Sequence, residues 1–207
     1  MEIINLYHYL DMFSNVLSYG HLLNYSFDVL EKRICKHRKF LAIENDNNSP
    51  ELYIERNVVL KEIFFDSPKA IDELIRYNEC EWVADMYLYL QAETGFTFEL
   101  LFLYIPLEKA YEMFPIYHEM DFSQSIGYFN EIFKKSTPLE LLMRKKSTNG
   151  KDLSSICNIP YSTIMSIKKK KRNIKNLNGL SLLKLANFFK VRVETLLAVN
   201  VNDLFKK

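Results

Sequence analysis

The chain has 207 residues, of which 48% are apolar and 26% are charged, with only five Gly and six Pro. This composition excludes a disordered or fibrous chain and predicts a mainly α-helical protein of one large or two modest domains. The net charge of +1 hides an asymmetry, because residues 134–207 hold seventeen Lys or Arg against four acids, and residues 1–133 hold ten against twenty-two. The basic half therefore indicates a nucleic-acid partner, and the acidic half indicates a different role.

Neither export nor membrane insertion is expected from the sequence. Glu2 and Asp11 lie where a secretory signal would have positive charge and then an unbroken apolar run. The most apolar run, 96–107, is interrupted by polar residues and falls short of the roughly 20 residues that cross a bilayer. An odd number of widely separated cysteines fits the reducing cytoplasm, where we expect structural roles for Cys35, Cys80 and Cys157.

Helical spacing of apolar residues dominates the acidic half. It predicts one amphipathic helix through Ile3, Leu6, Leu10, Phe13 and Leu17, and a second through Phe27, Leu30 and Ile34. After these, the apolar stretches 40–43 and 52–54 flank a turn-rich segment and predict a short β-hairpin.

Two further helix starts are predicted in the acidic half. Ser67-Pro68 resembles a capped helix start, followed by a helical pattern that ends at Gly95. Asp121 and Gln124 have the spacing of a capping box and open another amphipathic stretch. We therefore expect residues 1–133 to form an acidic, mostly helical domain for dimerisation or partner binding.

A new unit is predicted to begin at residue 134. Thr137 can cap a helix, Pro138 suits its first position, and Glu140 can reach back to the cap. Five short helical patterns follow, at 139–146, 151–157, 161–168, 181–189 and 193–197. Their apolar residues could fill one small core, namely Leu141, Leu142, Leu153, Ile156, Ile159, Ile164, Ile167, Leu182, Leu183, Leu185, Phe188, Leu196 and Leu197.

The stretch 152–164, DLSSICNIPYSTI, carries the most specific pattern in the chain. Ser154 is small where a second helix would cross closely, and Asn158 tolerates a left-handed turn conformation. Leu153, Ser154, Asn158, Ile159, Thr163 and Ile164 are in register with a known motif. The stretch resembles the helix-turn-helix of phage-repressor and Cro-type regulators, the xenobiotic-response-element family. Residues 182–197 are similar to the last two helices of that family.

The resemblance covers residues 138–198 and implies a five-helix, lambda-repressor-like DNA-binding domain at 134–207. It implies that the helix beginning near Tyr161 enters the major groove, where Tyr161, Ser162 and Ser166 face base edges. Cations after this helix would bind phosphates and release counterions. The expected phosphate contacts are Lys151, Thr163, Lys168, Lys169, Lys170, Lys171, Arg172 and Lys175.

Two positions depart from the family pattern. Gly150 stands where the family often has a Gln that braces the phosphate backbone. Pro160 stands where a Ser or Thr often caps the recognition helix. Both departures bear on phosphate contacts rather than on the fold.

The sequence contains no pattern typical of an enzyme, a metal site or a cofactor site. It has no glycine-rich phosphate loop, no Cys-x-x-Cys and no Gly-x-Ser-x-Gly. The four histidines are scattered, and His118-Glu119 lacks the second histidine of a zinc-helix motif. No catalytic residue, metal or cofactor is therefore predicted, and an enzyme tethered to DNA is disfavoured.

We therefore expect a sequence-specific, non-enzymatic DNA-binding regulator, most simply a repressor, of bacterial or phage type. The resemblance implies a homodimer on double-stranded DNA, since one recognition helix reads few base pairs. One alternative is an antitoxin or phage counter-defence protein whose acidic domain binds a protein partner. The acidic half could also fold back on the basic half and weaken DNA binding.

Overall fold

The computed structural model describes residues 3–45, 50–65 and 76–198. Within these ranges the chain forms thirteen α-helices and two short 3-10 helices, and it contains no strand. The prediction of a mainly α protein is confirmed. The described residues fall into two compact units, one extending to Gln124 and the other beginning at Ser125.

The helices of the first unit follow one another with short connections. They are α1 (Ile3–Leu22), α2 (Phe27–Ile34), α3 (Arg38–Asn45), a 3-10 turn (Pro50–Tyr53), α4 (Arg56–Phe64), α5 (Tyr77–Thr94), α6 (Phe98–Tyr104) and α7 (Leu107–Tyr117). Helix α8 (Phe122–Lys135) runs across the division between the units. Gly95 ends α5 in the left-handed conformation, as the sequence predicts.

The second unit contains the remaining helices. They are α9 (Pro138–Lys145), α10 (Gly150–Cys157), α11 (Tyr161–Lys168), a 3-10 turn (Ile174–Asn176), α12 (Gly179–Phe189) and α13 (Val193–Leu197). The Thr137 hydroxyl accepts a hydrogen bond from the Glu140 amide at 3.1 Å, and Pro138 is the first residue of α9. The predicted cap of this helix is therefore present.

The predicted β-hairpin is wrong. Residues 40–43 lie within α3, and residues 52–53 lie in the 3-10 turn. Phe40 and Ile43, three residues apart, both point into the core, a spacing that a helix satisfies. The predicted helix start at Ser67-Pro68 lies outside the described residues, as does the side chain of Gln124 in the predicted capping box.

Aromatic rings form the centre of the first unit. Phe13 of α1 packs edge-on against Phe40 of α3 and Phe98 of α6, with centroid distances of 4.9 and 5.6 Å. The Tyr87 hydroxyl, which is also buried, donates to the carbonyl of Ile105 at 2.5 Å. Edge-on pairs of this kind add to the free energy gained by burying the rings. These four buried rings therefore serve the core.

Two buried carboxylates cap helices that lie far away in the sequence. Glu31 of α2 accepts the Leu107 amide at 2.9 Å, at the amino end of α7. Glu44 of α3 accepts the Phe98 amide at 2.6 Å, at the amino end of α6. A negative charge in these positions satisfies an amide that has no partner within its own helix and interacts favourably with the helix dipole. These contacts tie α2 to α7 and α3 to α6.

Lys39 is an unusual member of this core, because its side chain is fully buried. Its ammonium group donates to the carbonyl of Ile54 and lies 2.9 Å from Nε2 of His8. Among the described residues, no carboxylate lies within ion-pair distance of it. Burial lowers the pKa of Lys39 from 10.5 to about 8.

Replacing Lys39 by Met is expected to remove a pH-dependent part of the stability. Because the pKa of Lys39 is about 8 in the folded chain and 10.5 when exposed, the unfolded chain binds more protons between these values. The free energy of unfolding should therefore rise with pH across this window. The free energy of unfolding can be measured by urea denaturation at about pH 8 and at about pH 10. We expect its increase between these two pH values to be about 1–3 kcal/mol larger in the wild type than in Lys39→Met.

Lys36→Met is the matched control, since Lys36 is exposed three residues earlier in the chain. This variant should keep the pH dependence of the wild type. The same pH dependence in the wild type and in Lys39→Met would show that Lys39 does not titrate in this window.

Candidate nucleic-acid interface

The turn between α10 and α11 has the geometry that the sequence predicts. Asn158 adopts the left-handed conformation, with φ of 52° and ψ of 49°. The Ser154 hydroxyl donates to the carbonyl of Ile159 at 2.7 Å, and the Ile159 amide donates to the carbonyl of Ser154 at 3.2 Å. These two bonds close the turn around Asn158, and the first of them requires a side-chain donor at position 154.

Apolar side chains on both sides of the turn are buried. Leu153 and Ile164 are fully buried, and Ile159 between them is nearly so. Because each of the three contributes a branched aliphatic side chain to the core, α10 and α11 are held in a fixed arrangement. The Asn149 side chain caps α10 by accepting the amides of Lys151 and Asp152.

Of the thirteen predicted core residues, eight are buried, three are partly exposed and two are exposed; the partly exposed ones are Leu141, Phe188 and Leu197. Ile156 on α10 and Leu183 on α12 are 62% and 53% exposed. Helical spacing alone does not distinguish them from the neighbouring buried residues Cys157 and Leu182, which face the core instead. The core also contains residues that the sequence prediction did not include, namely Leu139, Met143, Ile174 and Ala186.

Gly150, the first residue of α10, lies against α11. A β-carbon at this position would come within 2.9 Å of the Met165 sulfur and 3.0 Å of a ring carbon of Tyr161. The Tyr161 ring and the Met165 side chain therefore occupy the space that a larger side chain would need. This contact gives a physical reason for a glycine at position 150.

The three residues predicted to read bases lie on α11. Tyr161 is 46% exposed, Ser162 is exposed, and Ser166 is partly exposed. The Ser166 hydroxyl donates to the carbonyl of Ser162 one turn earlier, at 2.7 Å. Its hydrogen is thus engaged with the helix, which leaves the oxygen lone pairs to accept from a partner.

The cationic run leaves α11 through a compact turn. Lys170 adopts the left-handed conformation, with φ of 59°. The carbonyl of Ser166 accepts the amides of Lys171 and Arg172, at 2.8 and 3.2 Å. The cationic run therefore has a fixed backbone conformation directly after α11. Lys169, Lys170, Lys171 and Arg172 are exposed, and Lys168 is partly exposed.

The other predicted phosphate contacts lie in three different elements. Lys151 is exposed in the first turn of α10, and Thr163 is partly exposed in the first turn of α11. Lys175 is exposed in the 3-10 turn, where its amide donates to the Asn173 side chain at 2.9 Å. Pro160 precedes α11 and provides no side-chain cap for the amides of Tyr161 and Ser162, whereas the Thr163 amide donates to the carbonyl of Pro160 at 2.9 Å.

Polar groups in the first unit are also brought together, but burial suppresses their ionisation. The Cys80 sulfur lies 3.3 Å from the Tyr111 hydroxyl, and burial raises the pKa of Cys80 to about 11. The His21 ring lies edge-on to Tyr111, and burial lowers its pKa below 6.5. A thiol with a raised pKa is a poor nucleophile near neutral pH. No local pattern in the sequence marks this cluster, since its members come from separate helices.

Comparisons with known proteins found no matching family model, no matching curated protein and no matching solved structure. In the part of the chain that the structure describes, no group of three His, Cys, Asp or Glu is placed to hold a metal ion. No helix in the same part has the length and apolar character required to span a membrane.

Gly150→Gln tests whether the contact between α10 and α11 excludes a long side chain at position 150. The Gln side chain must displace Tyr161 or Met165, so the free energy of unfolding should fall by about 1–3 kcal/mol relative to the control. Gly179→Gln is that control, because Gly179 also begins a helix after an Asn cap and has open space around its β-carbon position. Equal stabilities of the two variants in urea denaturation would contradict this packing.

Proposed function

We propose that this chain is a sequence-specific DNA-binding regulator of transcription that inserts α11 into the major groove. One observation carries the proposal: α11 presents partly exposed polar side chains at its start, rests on a buried core, and ends in a compact cationic turn. A rigid helix with a neutral polar reading surface and flanking cations is the arrangement that groove recognition requires. The proposed mode of binding is that of the phage-repressor and Cro-type regulators.

The proposed reading of bases uses hydrogen bonds from short side chains. Because the Ser166 hydroxyl donates to its own helix, its oxygen suits an amino group, such as adenine N6 or cytosine N4. Ser162 lies in the first turn and can donate or accept. The Tyr161 ring, fixed against Gly150, offers an apolar edge for a thymine methyl group and a hydroxyl for hydrogen bonding.

The proposed backbone contacts use charge and helix ends. Lys169, Lys171 and Lys175 are exposed near the carboxyl end of α11 and would each displace condensed counterions from a phosphate. At the other end of α11, the amides left without a side-chain cap can donate to a phosphate oxygen. These contacts would position the helix, and they carry no base preference.

We propose that the regulator acts in the cytoplasm, as a homodimer on two-fold operators and most simply as a repressor. A single recognition helix covers few base pairs, and pairing two of them on one site multiplies the specificity. The first unit would supply dimerisation or bind a protein partner. The acidic character of residues 1–133 supports a basic partner, which is the antitoxin or phage counter-defence alternative. Purification of the chain in a stable complex with a basic protein would favour that alternative.

Replacing Lys169, Lys170 and Lys171 by Ala should weaken binding to every duplex. The slope of log affinity against log salt should also flatten, by about 0.9 for each phosphate that is no longer neutralised. Fluorescence anisotropy over a salt series, on a duplex selected from a random library and on a scrambled duplex, measures both effects. A triple Ala variant at Lys32, Lys36 and Lys109, all exposed in the first unit, controls for net charge. Wild-type binding by the first triple variant would refute the phosphate assignment.

Ser162→Ala and Ser166→Ala should change specificity and leave general affinity intact. We expect each to reduce the preference at one base pair by about 1–3 kcal/mol, because one base-edge hydrogen bond is removed. Binding to the scrambled duplex should not change. Ser155→Ala, an exposed serine on α10, is the control. If selection from a random library returned the same site for all three variants, neither serine would read a base.

A further inference from the structure

The second unit contains a cleft whose apolar interior has no role in the proposed mode of DNA binding, although two of its lining residues, Lys170 and Arg172, are also expected phosphate contacts. It has a volume of about 290 Å³ and lies between the start of α9, the end of α11, the 3-10 turn and α13. Its apolar lining comes from Pro138, Leu139, Ile167, Ile174, Leu196 and Leu197, and its polar lining from Thr137, Lys170, Arg172 and Asn173. The size is at the lower end of the range of small-molecule sites.

The polar groups of the cleft are unequal in their capacity to bind a ligand. The Thr137 hydroxyl oxygen already accepts the Glu140 amide, and the Asn173 oxygen accepts the Lys175 amide. Lys170 donates to the carbonyl of Lys134, and Arg172 donates to the carbonyl of Asn176 at 3.4 Å. An ammonium has three donors and a guanidinium has five, so both cations keep donors for an incoming acceptor.

The charge of the cleft is not balanced locally. Among the described residues, no ion pair joins Lys170 or Arg172 to a carboxylate. Leu139, Ile167 and Leu196 line the same cleft, are buried, and offer no group that would neutralise the two cations. An apolar cavity with two cations at its edge complements a molecule that has an apolar chain and an anionic head.

We propose that this cleft binds a small amphipathic anion, a short alkyl chain ending in a carboxylate or a phosphate, and that this ligand releases DNA. The chain would lie on the apolar lining, and the head would bind Lys170 and Arg172. The same two side chains are assigned to DNA phosphates, so one anion excludes the other. The regulatory part of this inference rests on the proposed function, whereas ligand binding by the cleft does not.

The binding part is tested by calorimetry on the full chain without DNA, with octanoate and octyl phosphate as probes. We expect one molecule of probe to bind per chain. Octanol lacks the anionic head and inorganic phosphate lacks the alkyl tail, so each should bind at least about tenfold more weakly than the matching probe. The more tightly bound probe identifies the head group. If inorganic phosphate binds as tightly as octyl phosphate, or if octanol binds as tightly as octanoate, the proposal is overturned.

A pair of double variants separates the cleft from general charge effects. Lys170→Gln with Arg172→Gln removes the cations of the cleft, and Lys169→Gln with Lys171→Gln removes two neighbours that do not line it. We expect the first pair to weaken octanoate binding about tenfold or more and the second pair to leave it unchanged. Equal effects of the two pairs on octanoate binding would overturn the assignment. Thermal denaturation confirms that both variants are folded.

A competition experiment tests whether octanoate and DNA bind the same two side chains, Lys170 and Arg172. Octanoate should lower the affinity of the wild type for its selected duplex, and it should have no effect on the variant that lacks Lys170 and Arg172. If the wild type binds octanoate and no duplex, the proposed DNA-binding function is wrong, and the assignment of the cleft as a ligand site is retained. If it binds a duplex and no octanoate, the cleft assignment fails alone. Simultaneous binding of both without mutual weakening would overturn the regulatory part.

Discussion

The left-handed conformation of Asn158 is the constraint on which the candidate interface depends. It lets the chain reverse within a few residues, so that Ile159 and Ile164 enter the core formed with Leu153. Once those side chains are buried, the direction of α11 is fixed, and with it the exposure of the residues at its start and end. A β-branched residue at position 158 would resist this conformation, whereas Asn adopts it readily.

The first unit is organised by buried polar groups as much as by its aromatic core. Glu31 and Glu44 place carboxylates on helix ends inside the unit, and Lys39 places an ammonium beside the carbonyl of Ile54. Burying such groups costs free energy, which is offset when each finds a hydrogen-bond partner. The helices of this unit are therefore placed by directional bonds as well as by apolar contact.

Local signals in the sequence predicted most of the second unit and less of the first. The bounds of α11 and α13 agree with the predicted ones, and those of α9, α10 and α12 agree within two residues. Thr137 and Pro138 mark the start of α9, and Asn158 marks the end of α10, through the conformation that each residue prefers. The hairpin was predicted from short apolar runs, a pattern that does not distinguish a strand from a buried helix.

What could not be predicted depends on partners that are distant along the chain. Lysine is almost never fully buried, so nothing in the sequence marked Lys39 as a core residue. In the sequence, Glu31 and Glu44 cannot be distinguished from surface acids, because their partners at the starts of α7 and α6 are distant along the chain. The space beside Gly150 is filled by Tyr161, eleven residues later, and this became apparent only when α10 and α11 were placed together.

The two carboxylate caps have a consequence for how the first unit assembles. Glu31 and Leu107 are 76 residues apart, and Glu44 and Phe98 are 54 apart, so neither cap can form until a long loop has closed. Helices α6 and α7 therefore gain their full stability late, and only together with α2 and α3. A piece of this unit that lacks α2 or α3 would therefore leave the first amide of α7 or of α6 without its carboxylate.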